Sequence, residues 1–357
     1  AIIKLSIYLA GGKKMKDLDF LKMICEAHAP SGREDWLYSI IEDNFKEFGH
    51  ITMSKLNNIY IHKKGKNSSK IMIMAHADEV FLMVSEISRE GFLKFKAVGI
   101  DPKSLVSQQV VIHGKERIDG IVALKPAYDD KDRNKIKMEN LYIDTGYDFE
   151  KLDDLVSIGD YITLKRNMIQ LLNGNVCGKA VDNRASIAAM YICAKELKNV
   201  TPDLNICFVC SCQEEVGHRG AGMASYEIKP DIGVAVDVTF DGGMFGDTDR
   251  ENKLGQGPVI CTGPNVNLKL RDRIIRTAVE YNIPYQIEVE PGNTGTDAWD
   301  IQTAVGGIPT LLVSIPIKYM HTSVEVVNLK DIKNTGRLLA RFIQELKENE
   351  LEGLFCF

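Results

Sequence analysis

Four short apolar runs constrain this chain most: 70–75 (KIMIMA), 205–212 (NICFVCSC), 232–236 (IGVAV) and 309–315 (PTLLVSI). Their length and composition suit buried strands. Between them lie segments with helical periodicity, at 18–28, 34–48, 182–199, 267–281 and 329–347. In 182–199 the residues Ile187, Tyr191, Ala194 and Leu197 recur near helical spacing. Strands interleaved with helices predict an α/β fold, a mixed sheet sandwiched by helices.

Residues 79–170 follow another rule. Six β-rich runs, at 81–87, 92–97, 109–113, 120–124, 141–144 and 161–165, are separated by Gly, Asp, Asn or Lys, with little room for helices. They predict a small all-β barrel inserted into the α/β chain. The expected organisation is therefore a discontinuous catalytic unit of 15–78 and 171–357, an inserted unit of 79–170, and an extension of 1–14. A chain of 357 residues exceeds what one hydrophobic core serves, which agrees with two units. In the extension the apolar run from Leu5 to Ala10 precedes Lys13 and Lys14, the reverse of a secretory signal. The polar run 125–140 reads as an exposed loop.

Composition narrows the partners. Lys and Arg number 44 against 49 Asp and Glu, a net charge of -5, which gives no support to nucleic-acid binding. No apolar stretch is long enough to span a membrane. The eight cysteines are scattered, and the cluster Cys207-x-x-Cys210-x-Cys212 lacks the second pair a zinc site needs. They read as reduced core thiols of a cytoplasmic protein. The Gly220-x-Gly222-x-x-Ser225 and Asn67-Ser-Ser69 motifs lack the context that would give them meaning.

The four runs lead into reactive residues. The first runs into His76-Ala77-Asp78, the second into Gln213-Glu214-Glu215, the third into Asp237, and the fourth is followed by His321; Asp182 stands just before a helical segment. Singly, each has an ordinary explanation: a surface pair, solvated charges, a helix N-cap, a loop histidine. In open α/β sheets, however, ligands bind at the carboxyl ends of strands, where all five candidates fall. The set suits two divalent ions, Zn, Co or Mn, since Asp182, Glu215 and Asp237 offset most of their charge and His76 and His321 add neutral nitrogen donors. Asp182 is the expected bridge, and Asp78 is placed to orient the His76 ring. Adjacent side chains of an extended segment point apart, so Glu215 is read as a ligand and Glu214 as a general base. His28, His50, His62, His113 and His218 are read as non-ligands, His218 lying nearest the site.

The segments MAHADEV (74–80), GKAVDNRAS (178–186), QEEVGHRGA (213–221), AVDVT (235–239), NTGTDA (293–298) and MHTSVEVV (320–327) together resemble the tetrahedral, or deblocking/glutamyl, aminopeptidases, some once described as endoglucanases. The resemblance runs from about residue 16 to 347. It implies a metal-dependent aminopeptidase that removes N-terminal residues from peptides, using a metal-bridging water and a glutamate base. It assigns one ion to His76, Asp182 and Asp237, the other to Asp182, Glu215 and His321, the base to Glu214 and a supporting role to Asp78. It places Thr296, Asp297 and Ala298 near the substrate, puts the all-β insertion between His76 and Asp182, and implies homo-oligomers, including dodecamers. Phe81, Ile100, His218 and the Phe240-Asp241 pair depart from the family's usual residues, and none is a ligand. Two other readings use the same residues and stay open: a dimetal deacylase or amidase on N-acylated substrates, and a non-catalytic assembly protein with a relic site. A glycosidase is weaker, because its two carboxylates would already be claimed.

Overall fold

The computed structural model describes residues 16–125, 136–242 and 252–355; the extension 1–14 and most of the polar run 125–140 lie outside the described residues. Each of the four apolar runs forms a strand. They lie side by side and parallel, in the order Asn205–Ser211, Lys70–His76, Ile232–Phe240 and Thr310–Lys318, within an 11-stranded mixed sheet. Seven further strands flank them. His50–Met53 and Ile59–Lys63 extend one edge, and Glu325–Asn328, Asn175–Gly178 and Ile169–Gln170 the other. Val259–Thr262 and Gln286–Val289 branch from Thr310–Lys318. None of these seven announces itself as an apolar run, because each has only two to five residues.

Register sets what the strand ends carry. Ser211 pairs with His76, Asp237 pairs with Ser314, and Ala235 pairs with Met74, two residues before His76. Ser211, His76, Asp237 and Ser314 therefore form one row across the sheet. One expectation needs correction: Asp237 does not end its strand. Pairing with the neighbour continues to Phe240 opposite Ile317, since backbone pairing outlasts the apolar pattern.

Two groups of helices cover the sheet. Val181–Glu196 packs on Lys70–His76 and Ile232–Phe240, with Leu329–Glu345 and Asp17–Glu26 against it. Residues 181–194 of that helix are all buried, which is why it lacks a sharp amphipathic stripe. Gly336 lets the two long helices touch: a Cβ there would stand 2.6 Å from the Ala189 carbonyl oxygen and 2.7 Å from Ile192 Cβ. The second group, Arg219–Ile228 and Asp297–Thr303, covers Asn205–Ser211, Ile232–Phe240 and Thr310–Lys318. The segment beginning at 34 is not one helix, because a 3-10 turn, Glu34–Leu37, precedes Tyr38–Phe45. No described helix is long and apolar enough to cross a membrane. The seven described cysteines are free and buried.

The six β-rich runs close into an antiparallel barrel, ordered Phe81–Ile87, Phe92–Val98, Leu141–Asp144, Arg117–Leu124, Gln109–His113 and Tyr161–Leu164. Alternate residues of Arg117–Leu124 point into a core of its own, separate from that of the sheet. Two short helices, Pro102–Leu105 and Phe149–Leu155, also fit between barrel strands, capped by the side chains of Asp101 and Asp148. Their caps are local signals that the strand spacing does not advertise.

Buried polar contacts tie the barrel to the sheet. Thr163 bonds His28 Nδ1 at 2.7 Å and His113 Nε2 at 2.9 Å; burial pushes His28 down to about 3 and His113 down to about 4, so both rings are neutral. Glu79, just before the first barrel strand, accepts from Ala29 N at 3.0 Å, Lys179 Nζ at 2.6 Å and Arg184 Nη2 at 3.2 Å. Burial opposes its charge, yet Lys179 and Arg184 outweigh that and hold its pKa at about 2, below the ordinary 4.5. A depressed carboxylate contributes stability in full above its unfolded value and loses it as pH falls through the folded one. Glu79→Gln, which leaves two buried cations short of a counter-charge, should cost about 3–5 kcal/mol in denaturant unfolding at pH 7. It should also flatten the stability curve between pH 4.5 and about 2.

Candidate metal centre

His76 is the last residue of its strand, and its ring is buried at the sheet's carboxyl edge. Asp182 reaches it from the start of the helix Val181–Glu196. Asp182 is not an N-cap: its φ/ψ of -73/106° is non-helical, and the helix has no side-chain cap. Its carboxylate turns instead toward two histidines. Oδ1 lies 3.0 Å from His76 Nε2, and Oδ2 lies 3.3 Å from His321 Nε2.

The remaining acids close around this axis. His76 Nε2 is 3.7 Å from Glu214 Oε2 and 3.8 Å from Asp237 Oδ1, while His321 Nε2 is 3.4 Å from Glu215 Oε2. Glu214 and Glu215 point to different histidines, as expected, but the backbone there is a turn rather than an extended segment: the strand ends at Ser211, and the Gly217 and His218 amides donate to the Glu214 carbonyl. His76, Glu214 and Asp237 could together hold one cation, and so could His76, Asp182 and Glu215. His321 joins neither triad at that spacing but meets Asp182 and Glu215 from the rim, where its side chain is 36% exposed. All five sequence-expected ligands are thus brought together, with Glu214 among them.

The electrostatics suit cations. Glu215 is pushed well above the carboxylate range, first by burial and then by the Asp182 charge; Asp237 is pushed up by burial and by Glu214 and Asp182. Burial opposes a charge on His76, but Glu214, Asp182, Asp78 and Asp237 push its pKa well above normal. Glu215 Oε1 is buried without a hydrogen-bond partner. A crowd of desolvated carboxylates with an orphaned oxygen and two imidazoles suits divalent ions with mixed nitrogen and oxygen ligands.

Asp78 lies beside the His76 ring and does more than face it. His76 Nδ1 is nearer the Asp78 main-chain oxygen, at 3.2 Å, than its carboxylate, at 3.5 Å. The carboxylate is occupied by Glu214 N at 3.1 Å, Glu215 N at 3.2 Å and Ser31 Oγ at 2.5 Å. It steadies the turn that carries both glutamates.

Three residues escaped the sequence reading. Glu325 is 1% exposed and accepts from Val181 N at 2.7 Å, Asp182 N at 3.1 Å and His321 N at 2.8 Å. A charged residue inside the apolar run Val324-Glu325-Val326-Val327 was the available signal. Ser31 completes the Asp78 contacts and carried no signal. His218, placed among the non-ligands, holds Glu214 Oε1 at 3.2 Å and Asp300 at 2.9 Å. Its bond to Glu214 pushes it up to about 9 despite burial. Ala180, Gln213, His218 and His321 all have positive φ, between 51 and 62°, a strained setting for residues with a Cβ.

The site opens into a cavity of about 410 Å³. Thr296 lines it and caps the helix behind it, its Oγ1 accepting from Ala298 N. Asp297 and Ala298 lie buried behind that wall; Asp297 Oδ2 accepts from Ser211 Oγ at 2.5 Å, and burial pushes its pKa up to about 7.

A parallel-centred sheet thus carries histidines and carboxylates at its carboxyl edge and is joined to a closed β-barrel. The pattern of the M42 glutamyl aminopeptidases matches residues 57–338, and the chain belongs to that family. It is 34% identical to the lysyl aminopeptidase of Pyrococcus furiosus, across 93% of this chain and 98% of that one. Among solved structures it is similar to an aminopeptidase of the archaeon Desulfurococcus kamchatkensis, with a TM-score of 0.90 and 30% identity, across 96% and 98% of the two chains. It is also similar to the TET1 peptidase of Pyrococcus horikoshii, which assembles into a tetrahedron or a large octahedral shell, with a TM-score of 0.81 and 28% identity, across 93% and 100%. The protein is an aminopeptidase-type hydrolase.

Glu325→Ala removes one acceptor from three main-chain donors. Divalent-ion affinity, read by calorimetry, should fall about 10–100-fold, and unfolding stability by about 1–3 kcal/mol.

Proposed function

We propose that the chain hydrolyses N-terminal residues from peptides with two divalent ions, Zn, Co or Mn, held as the sequence reading expected. His76, Asp182 and Asp237 would hold one and Asp182, Glu215 and His321 the other, and the donor set described above fits that demand. One observation carries the reading: the two oxygens of Asp182 face two different histidines, at 3.0 and 3.3 Å. When bound, such ions polarise the scissile carbonyl and acidify water toward pKa ~7.

The chain's own residues supply the rest. Glu214 accepts a proton from the attacking water and passes it to the leaving amine. His218 keeps Glu214 Oε1 engaged at 3.2 Å, leaving Oε2 on the His76 side for that transfer. Asp78 holds the Glu214 and Glu215 amides, so the base and the ligand keep their separate directions. Residues 15–78 and 171–357 would form the catalytic unit, with 79–170 inserted. Assembly into homo-oligomers, as in the Pyrococcus horikoshii relative, would confine the site to peptides.

Glu214→Gln should retain both ions by elemental analysis and lose about 10²–10⁴-fold in turnover. A peptide with a free amino terminus should be cleaved and its acetylated twin left intact. Cleavage of the acetyl group alone would instead make the protein a deacylase, and near-normal turnover in the variant would remove Glu214 from the mechanism.

A further inference from the structure

We propose that Glu34 is a positioning residue for the general base: it fixes the turn that carries Glu214. The proposal rests on the reading of Glu214 as the base and adds a residue that acts through it.

Four consecutive main-chain amides, Cys212 to Glu215, lead from the strand Asn205–Ser211 to the base and its neighbouring ligand. Each is accepted by a side chain from another part of the chain. Asn58 Oδ1 takes Cys212 N at 2.9 Å, Glu34 Oε1 takes Gln213 N at 2.9 Å, and Asp78 takes Glu214 N at 3.1 Å and Glu215 N at 3.2 Å. Asn58, Glu34 and Asp78 are all 0% exposed. Gln213 is the pivot of this row. Its φ of 55° lies in the left-handed region, which a residue with a Cβ holds only with outside support. Beyond it the turn closes on the base itself, whose carbonyl accepts from Gly217 N at 2.9 Å and His218 N at 3.0 Å. A shift at Gln213 is therefore passed directly to Glu214.

Glu34 is itself firmly held. It opens the 3-10 turn Glu34–Leu37, and its Oε1 also accepts from Gly32 N at 2.7 Å. The segment before it is tied to both units of the chain: Asn57 Nδ2 donates to the Gly32 carbonyl at 3.1 Å, and the hydroxyl of Tyr161, on the barrel, donates to the Ser31 carbonyl at 3.2 Å. The other oxygen, Oε2, is buried with no hydrogen-bond partner among the described residues. A carboxylate oxygen left in that state works against stability. Burial, and after it the Asp78 charge, pushes the Glu34 carboxyl up to about 7. Packing alone would be served better by an apolar side chain. What this carboxyl supplies is one acceptor aimed at the turn.

The test uses the ion-loaded full chain, at saturating ion, on a short peptide with a free amino terminus. Glu34→Gln keeps a carbonyl oxygen for both amides, and its kcat should stay within about threefold of the parent's. Glu34→Ala removes that oxygen, and kcat should fall about 10–100-fold with KM little changed. If Glu34→Ala does not fold, Glu34→Asp, too short to reach both amides, should lose about 10-fold in kcat. Leu141→Ala, in the barrel core, lowers stability away from the turn and should leave kcat unchanged. In a Glu214→Gln background the loss caused by Glu34→Ala should vanish, because the group it positions is gone. Hydrogen–deuterium exchange of amides 212–215 reads the turn without turnover: it should quicken in Glu34→Ala and not in Glu34→Gln. No kcat loss in Glu34→Ala, an equal loss in Glu34→Gln, a full loss persisting beside Glu214→Gln, or unchanged exchange would overturn the proposal. A chain that cleaves no peptide yet shows this exchange pattern would sink the peptidase reading and leave Glu34 as the support of the turn.

Discussion

The structure turns on a buried excess of negative charge. Asp182, Glu214, Glu215 and Asp237 meet within a few ångströms, mostly out of water, where isolated carboxylates would rather be neutral. Positive charge held among them lets them stay ionised there. The two histidines supply part of it, and the geometry leaves divalent ions as the fitting remainder. Much of what surrounds the cluster serves to keep these acids from swinging away into solvent.

Two other buried carboxylates do that holding, and each spends its oxygens on backbone amides. Asp78 takes the amides of Glu214 and Glu215, and Glu325 takes those of Val181, Asp182 and His321. A third, Glu79, binds Lys179 and Arg184 at the junction of sheet and barrel. The chain thus uses buried acids in two ways: some are crowded toward one another for chemistry, and others are satisfied by donors so that the first kind keep their positions. The strained backbone at Ala180, Gln213, His218 and His321 lies in the turns these contacts stabilise.

Much of this was legible from local pattern. The six barrel strands and four central strands could be read because apolar alternation and continuous apolar runs are local properties. The seven flanking strands could not, being short and defined by whom they pair with. His76 and Asp182 were legible as candidates because strand ends and helix starts are where α/β sheets place ligands. Glu325 was not, because its importance lies in three amides contributed by segments more than 140 positions earlier and four positions earlier. The role of Asp78 was half legible: the HxD spacing marks a partner for the ring, but only the fold shows its carboxylate engaged elsewhere.

By itself, then, the sequence determined the kinds of elements, their order along the chain and the chemical identity of the residues at the sheet's edge. Those follow from side-chain period, turn composition and ligand type, all of which act over a few residues. Tertiary structure alone decided which oxygen of Asp182 faces which histidine, that His218 engages Glu214, and that Glu34 accepts from the Gln213 amide. The first and last depend on strand register and helix placement between segments far apart in the chain, whereas His218 and Glu214 are four residues apart and meet through the turn between them.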